Sequence, residues 1–553
     1  MDRPWLSSYP QGVNADIDIN KYNSVVEIFD SSVKEYASRP AFSNFGKTLS
    51  YSEFEQATTC LAAYLQKTLG LQKGDRVAIM MPNLLQNPVS IFGVLRAGLT
   101  VVNTNPLYTA RELRHQLKDS GAKAIIVVEN FAHTVQAVLD DTDVEHVIIT
   151  KMGDMLDFPK AVIINLVVKY LKKMVPPYSI DGAVSFKEAL SMGSTLSLNP
   201  VPLNHDDIAF LQYTGGTTGV AKGAVLTHKN MVANMLQSAE WIKNDVVLGE
   251  EVIITALPLY HIFSLTANCL VFMEAGAHNI LITNPRDFIG FVKELKKTPF
   301  TAITGVNTLF NALLNTEGFA DIDFSKLKLT LGGGMSVQAA VAAQWKKTTG
   351  CTLVEAFGLT ETSPAVCINP LNLKDYNGSI GLPISSTYCQ LIDADGQVVP
   401  IGEAGELCVK GPQVMQGYWN LPDETAHAFT TDGWLKTGDV ATMDDHGFFY
   451  IVDRIKDMII VSGFNVYPNE VEGVIVEHPG VLECGVIGVK DELRGESVKA
   501  FVVKKDEALT AAELLDFCRQ QLTAYKTPDE IVFIKELPKT NVGKVLRREL
   551  RSL

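Results

Sequence analysis

Between Asp75 and Glu129 short apolar runs alternate with helical ones: RVAIMMPN, PVSIFGVLRAGL, TVVNTNP, ARELRHQLKDSG and KAIIVVE. The first, third and fifth suit short buried strands and the other two carry helical spacing, so the order reads β-α-β-α-β. Parallel neighbours need a crossover, and the crossover helix must bury its apolar stripe, so this order commits the chain to a mostly parallel sheet covered by helices. A second alternation runs from about Val252 to Gly334, with EVIITALPL and FTAITGV as buried strands. After about Ile380 the character shifts to hairpin strands, YCQLIDADGQVV, GELCVKG and GFFYIVD, separated by Gly and Asp turns. The charged run VDRIKD then precedes a fresh β-α-β reading: VLECGVIGV, VKAFVVKK, the helix AAELLDFCRQQL and IVFIKEL. A chain of 553 residues exceeds what one core organises. We place a boundary near Arg454, giving a domain over 1–453, β-rich from about 380 to 453, and a second over 454–553. A charge cluster of that kind also suits a solvated turn, and the motifs below weigh for the boundary.

Charge narrows the partners. The formal net charge of −14 leaves nothing to neutralise a phosphate backbone broadly, so nucleic acid is not an expected partner and anions must be met by local positive groups. The eight cysteines show no C-x-x-C pair and no histidine at metal-ligand spacing, which suits reduced thiols in the cytoplasm. MDRPWLSSYPQ at the start lacks the apolar core of a secretory signal, and no run of eighteen apolar residues occurs, so no membrane crossing is expected.

The stretch YTGGTTGVAKGAVLTH, Tyr213–His228, gathers Gly215, Gly216, Gly219 and Gly223 with the hydroxyls of Thr214, Thr217 and Thr218 and the amine of Lys222. Glycines let backbone N–H groups approach anionic oxygens, and threonines add donors, so the loop suits a polyphosphate. A flexible surface turn would have similar composition. The loop also departs from G-x-x-x-x-G-K-[ST]: Gly223 follows Lys222, so no hydroxyl stands beside the lysine to ligate a metal.

Four further segments follow in order: LGGGMSV from Leu331, VEAFGLTETSP from Val354, DGWLKTGD from Asp432 running on through GFFYIVDRIKD, and PKTNVGKVLRREL from Pro538. Together with the glycine loop they resemble the adenylate-forming superfamily of acyl-CoA synthetases, luciferases and peptide-synthetase adenylation domains, over most of the chain. Within it, GWLKTGDVATMDDHGFFYIVDRIKDMIIVSGFNVYPNEVE, HIFSLTANCL, NPRDF and TAITGVNTLFNALL are similar to the bacterial long-chain fatty-acid–CoA ligases. The resemblance implies an α/β fold: a large N-terminal domain of stacked parallel sheets with helices and a β-rich subdomain, and a small α+β C-terminal domain that rotates on a hinge. It implies ATP with Mg²⁺, a fatty acid and coenzyme A as substrates and cofactors, and a possible homodimer. It also implies two half-reactions, formation of an acyl-adenylate with release of pyrophosphate, then acyl transfer to the thiol.

Residue roles are implied by the same resemblance. Thr214, Gly215, Gly216, Thr217, Thr218, Gly219 and Lys222 would wrap the β- and γ-phosphates, with Thr360 at the α-phosphate and Glu361 holding the metal; a helix-capping role is the plainer alternative for Glu361. Gly333, Gly334, Ala356 and Phe357 would line the adenine, with phenylalanine at 357 and serine at 336 where tyrosine and proline are commoner. Asp439, expected as an exposed carboxylate in a T-G-D turn, would accept the ribose hydroxyls with Arg454 alongside; a plain turn aspartate is the alternative. His261 would stand at the gate between acyl pocket and nucleotide, although a lone histidine in an apolar stretch is commonly a core residue. Lys544 would bridge the substrate carboxylate and α-phosphate, Lys456 would be the hinge, and Gly463 would line the thiol channel. Residues 252–273 contain no Asp or Glu, which disfavours a substrate amine and favours an uncharged tail. Competing readings are a medium-chain or aryl carboxylate ligase and, from another class, a silent membrane-associated lipid-binding protein.

AVIINLVVKYLKKMV, from Ala161 to Val175, is apolar in its first half and carries Lys169, Lys172 and Lys173 in its second. It is too short to cross a bilayer and suits a helix lying in a membrane interface, which would make the chain peripheral on the cytoplasmic face. A packed surface helix with its lysines in water fits the same pattern.

Overall fold

The computed structural model describes residues 3–214, 221–462, 464–491, 493–540 and 545–553. The β-α-β-α-β reading is realised in a seven-stranded sheet ordered Val184–Ser185, His146–Thr150, Ala124–Val128, Arg76–Met80, Thr100–Asn103, Ile208–Thr214, Lys222–Thr227. Every pairing is parallel except the last, the antiparallel hairpin that carries the glycine loop. All five residues of Ala124–Val128 are buried, as a strand covered on both faces requires.

A nine-stranded sheet runs Leu382–Pro383, Ala365–Ile368, Leu353–Gly358, Leu329–Gly333, Ala302–Gly305, Val252–Thr255, His278–Leu281, Pro40–Asn44, Lys47–Ser50. It is parallel through the centre and antiparallel at both ends. The helices Val25–Tyr36, Tyr51–Lys67, Gln86–Arg96 and His228–Ile242 share one buried cluster with strands of both sheets. Gln86–Arg96 is buried on nearly every face, which is why its sequence shows almost no polar side.

A four-stranded antiparallel sheet follows (Tyr388–Ile392, Gly405–Lys410, Leu435–Met443, Phe449–Arg454). Tyr388–Ile392 pairs antiparallel with Gly405–Lys410, as hairpin strands should, but the expected strand YCQLIDADGQVV stops at Ile392, beyond which the segment contributes a single bridge, Ile392 to Val398. The last sheet, five-stranded, comes wholly from residues after Met458, with Glu530–Phe533 parallel to Gly495–Lys504 as the β-α-β reading requires.

The segment at 161–175 is helical only to Leu171. An α-helix over Lys160–Leu166 passes into a π turn over Val167–Leu171, and Lys173 adopts a left-handed φ of 51° that a helix cannot continue.

Candidate active site

Gly215, Gly216, Thr217, Thr218, Gly219, Gly463 and Lys544 lie outside the described residues. The stem of the glycine loop is described: Thr214 and Lys222 face each other at the end of the antiparallel hairpin. Lys222 forms an ion pair with Glu424, and its ammonium lies 5.1 Å from the centre of the Tyr418 ring. The Tyr418 hydroxyl donates to the Glu361 carboxylate at 2.8 Å. Lys222, Tyr418 and Glu361 are therefore one cluster joining the hairpin to the T-E turn. Burial, with the neighbouring Glu361 and Glu424 carboxylates adding to it, pushes the Tyr418 hydroxyl well above the usual phenol range, so it stays a donor. Lys222 in turn holds the Glu424 carboxyl below its ordinary value.

Glu361 sits in the single 3-10 turn Thr360–Thr362. That turn is pinned from several directions: the Glu361 carbonyl accepts from the Met415 N–H at 2.8 Å, the Ser363 carbonyl from Thr266 Oγ1 at 2.7 Å, and the Pro364 carbonyl from the Leu359 N–H at 3.0 Å. The carboxylate is thus held on a fixed turn rather than on a mobile side of a helix.

Gly333 and Ala356 are register partners on neighbouring parallel strands, and Phe357 follows Ala356. A Cβ at Gly333 would lie 3.1 Å from both the Phe263 ring and the Ala356 carbonyl, and Gly334 takes a left-handed φ of 76°. Both glycines answer to steric demands of the backbone there. Phe263 belongs to the short turn capped by His261, whose Nδ1 accepts from the Phe263 N–H at 3.3 Å. The expected gate residue therefore stands beside the expected adenine strands. Gln212 Nε2 donates to the Tyr260 carbonyl at 2.7 Å, tying the same loop to the phosphate hairpin.

Asp439 corrects an expectation. It is neither exposed nor in a turn: it lies within the strand Leu435–Met443 at 3% exposure, opposite Arg454 on Phe449–Arg454, and Arg454 Nε meets its Oδ1 at 2.8 Å. Pairing with the guanidinium is what makes a buried carboxylate acceptable there. Lys456 follows two residues later, exposed, its ammonium pKa lowered by partial desolvation and by Arg454. The segment beginning at Ile455, where the hinge is expected, is stitched to the T-G-D strand by the Ile455 N–H, which donates to the Gly438 carbonyl at 3.0 Å.

Tyr418, Glu424 and Gln212 contact the residues of this site and were not singled out from the sequence; Asn83 also ties the strand Arg76–Met80 to the segment leading into His261, donating to the Leu257 carbonyl at 2.9 Å. Tyr418 and Glu424 sit in GYWNLPDET, whose aromatics and acids read locally as an ordinary turn.

The family model of AMP-binding enzymes matches residues 29–419, and that of the AMP-binding enzyme C-terminal domain matches 470–544. The chain belongs to the AMP-binding enzyme family. It is 57% identical over 552 residues to a long-chain-fatty-acid–CoA ligase of Escherichia coli O6:H1, covering 100% of this chain and 98% of the relative. A long-chain-fatty-acid–CoA ligase of Haemophilus influenzae is 54% identical, again over 100% and 98%. Among solved structures, an anthranilate CoA ligase in complex with anthranoyl-AMP superposes with a TM-score of 0.85 at 26% identity, covering 97% of this chain and 98% of that one. In this AMP-binding enzyme, Asp439, Arg454 and Lys456 fall between the two matched segments.

Proposed function

We propose that the chain is an AMP-forming long-chain-fatty-acid–CoA ligase. The observation that carries the reading is the 57% identity across the whole chain to a ligase of that name, together with the Lys222–Tyr418–Glu361 cluster. A carboxylate is a poor acyl donor because oxide would have to leave. In the first half-reaction the fatty carboxylate oxygen attacks the α-phosphorus of ATP, the bond to the β-phosphate bridge breaks, and pyrophosphate leaves. In the second, the coenzyme A sulfur attacks the acyl carbon, AMP departs with the electron pair of the broken C–O bond, and the thiol gives up its proton. Both nucleophiles come from substrate, so the protein's part is positioning and charge stabilisation.

Lys222 exchanges its Glu424 partner for phosphate oxygens, backed by Thr214, Gly215, Gly216, Thr217, Thr218 and Gly219. Thr360 meets the α-phosphate, Gly333, Gly334, Ala356 and Phe357 enclose the adenine, and the Asp439–Arg454 pair meets the ribose. His261 guards the passage to the acyl chain. Lys544 bridges carboxylate and α-phosphate in the first half-reaction, and rotation about Lys456 then brings Gly463 to the thiol path. Among the described residues no three His, Cys, Asp or Glu side chains gather as a metal cage. A lone Glu361 carboxylate on a rigid turn fits Mg²⁺, which takes one or two carboxylates and completes its shell from phosphates and water. When bound there the ion neutralises phosphate charge.

Membrane contact through the segment 158–174 belongs to the same reading. Phe158, Tyr170 and Leu171 are 84%, 66% and 73% exposed beside Lys169, Lys172 and Lys173, a combination suited to an anionic lipid surface where long-chain acids reside. No helix among the described residues is long and apolar enough to cross a membrane.

The test is a chain-length profile of ATP-dependent acyl-CoA formation, from six-carbon acids through oleate with benzoate and ferulate included. Highest kcat/KM for acids of about fourteen carbons or more is expected. A maximum at short or aromatic acids would overturn the substrate assignment.

A further inference from the structure

The hairpin that carries the glycine loop sets Thr214 opposite Lys222, so where those two groups stand depends on how firmly the hairpin is held. Both ends of the loop meet one helix. Ala110–Ser120 starts at a capping box between Thr109 and Glu112 and stops at Gly121 in the left-handed conformation, φ 58°. His115 and Asp119, four apart and so on one face, point at the hairpin. Tyr213, the residue before Thr214, donates its hydroxyl to Asp119 Oδ2 at 2.5 Å. Ala221, the residue before Lys222, accepts at its carbonyl from His115 Nε2 at 2.8 Å.

The contacts close into a ring. The Asp119 carbonyl accepts from the Trp419 indole at 3.0 Å, and the Trp419 N–H donates to the Gly223 carbonyl at 2.7 Å. Gly223 is the register partner of Tyr213, and a Cβ there would come within 3.0 Å of the Tyr213 ring. Arg76 secures the helix end, donating to the Ser120 and Gly121 carbonyls at 2.8 Å each, with its guanidinium 6.0 Å from the Trp419 ring. Tyr213 is buried at 8% exposure, so loss of the Asp119 partner costs its hydroxyl more than it would at an exposed site.

We propose that His115 and Asp119 form a clamp that fixes the stem of the phosphate loop, and that they are positioning residues for the adenylation half-reaction alone. The inference rests on the ligase reading. Because the clamp touches only the stem, its loss raises the cost of wrapping polyphosphate, while coenzyme A meeting a preformed acyl-adenylate does not draw on it.

Pyrophosphate exchange and acyl transfer from supplied oleoyl-adenylate are measured separately for wild type, Asp119→Ala, Tyr213→Phe, the double variant and Asp119→Asn. Asp119→Ala and Tyr213→Phe should each raise the KM for ATP roughly five- to tenfold in exchange, the size expected from the net contribution of one hydrogen bond. The double variant should be no worse than either single, Asp119→Asn should recover most of the loss through its amide oxygen, and acyl transfer should stay within twofold of wild type. An unchanged KM, additive losses, or equal loss in both half-reactions would overturn the clamp. Should Asp119→Ala fail to fold, Tyr213→Phe, which removes one oxygen, and Asp119→Asn decide it by the same criteria. Wild-type protein that exchanges no pyrophosphate would sink the ligase reading instead.

Discussion

At Asn83 one carboxamide holds a loop together. Its Nδ2 donates to the Thr255 and Leu257 carbonyls at 3.0 and 2.9 Å, and its Oδ1 accepts from the Leu259 N–H at 2.8 Å. Those three groups belong to the segment leading into His261, whereas Asn83 follows the strand Arg76–Met80 of the other sheet. Asn83→Ala leaves the Leu259 N–H buried and without its acceptor, while the Thr255 and Leu257 carbonyls keep bonds from the Ile282 N–H and Ser264 Oγ, and should destabilise the protein by about 1–3 kcal/mol in urea unfolding. Asn83→Asp should be at least as damaging, since a carboxylate oxygen would replace the donor facing two carbonyls; wild-type stability in either variant would refute this role. Glu361→Gln keeps the size and the Tyr418 contact but removes the charge that suits Mg²⁺, so it should abolish pyrophosphate exchange. Retained exchange would remove Glu361 from the metal role. Glu361 was legible because its motif is local; Asn83 was not, because its partners lie more than 170 positions away.

At the scale of elements, the apolar runs of the parallel strands could be read directly, since burial on both faces leaves no alternation to misjudge. The second half of YCQLIDADGQVV could not, because strand pairing is chosen by the partner that offers a full ladder, here Gly405–Lys410. The helix from Lys160 shows the same limit: its apolar and basic halves were visible, its stop at Leu171 was not. Replacing Lys169, Lys172 and Lys173 by glutamate should cut co-sedimentation with anionic liposomes at least tenfold, given about 1 kcal/mol per lysine near such a surface. Phe158→Ser with Leu171→Ser should weaken the binding that persists in high salt. Pelleting unchanged in both variants would leave the segment as a plain surface helix.

Over the whole molecule, stability should depend on acid through buried titratable groups. His228, 1% exposed, accepts at Nδ1 from the Val25 N–H at 3.1 Å, and burial pushes its pKa down to about 4. Between pH 6.5 and 4 the unfolded chain takes up a proton that folded His228 refuses, so stability is lost as pH falls through that window, by about 3 kcal/mol in total. Glu355 acts in the opposite sense: burial raises its carboxyl to about 7, so its contribution is lost as pH rises from about 4.5 to 7. His228→Gln should therefore flatten the loss of unfolding free energy between pH 6.5 and 4.5, and a slope equal to wild type would contradict the assignment. Sequence by itself determined the alternation that makes parallel sheets and the motifs by which the chain belongs to its family, because each depends on neighbours along the chain. Tertiary structure decided that Asp439 is buried against Arg454, that Tyr418 links Lys222 to Glu361, and that one helix grips both ends of the loop. Those contacts depend on how separate segments pack, and packing selects partners by shape and unsatisfied hydrogen bonds, which no local pattern encodes.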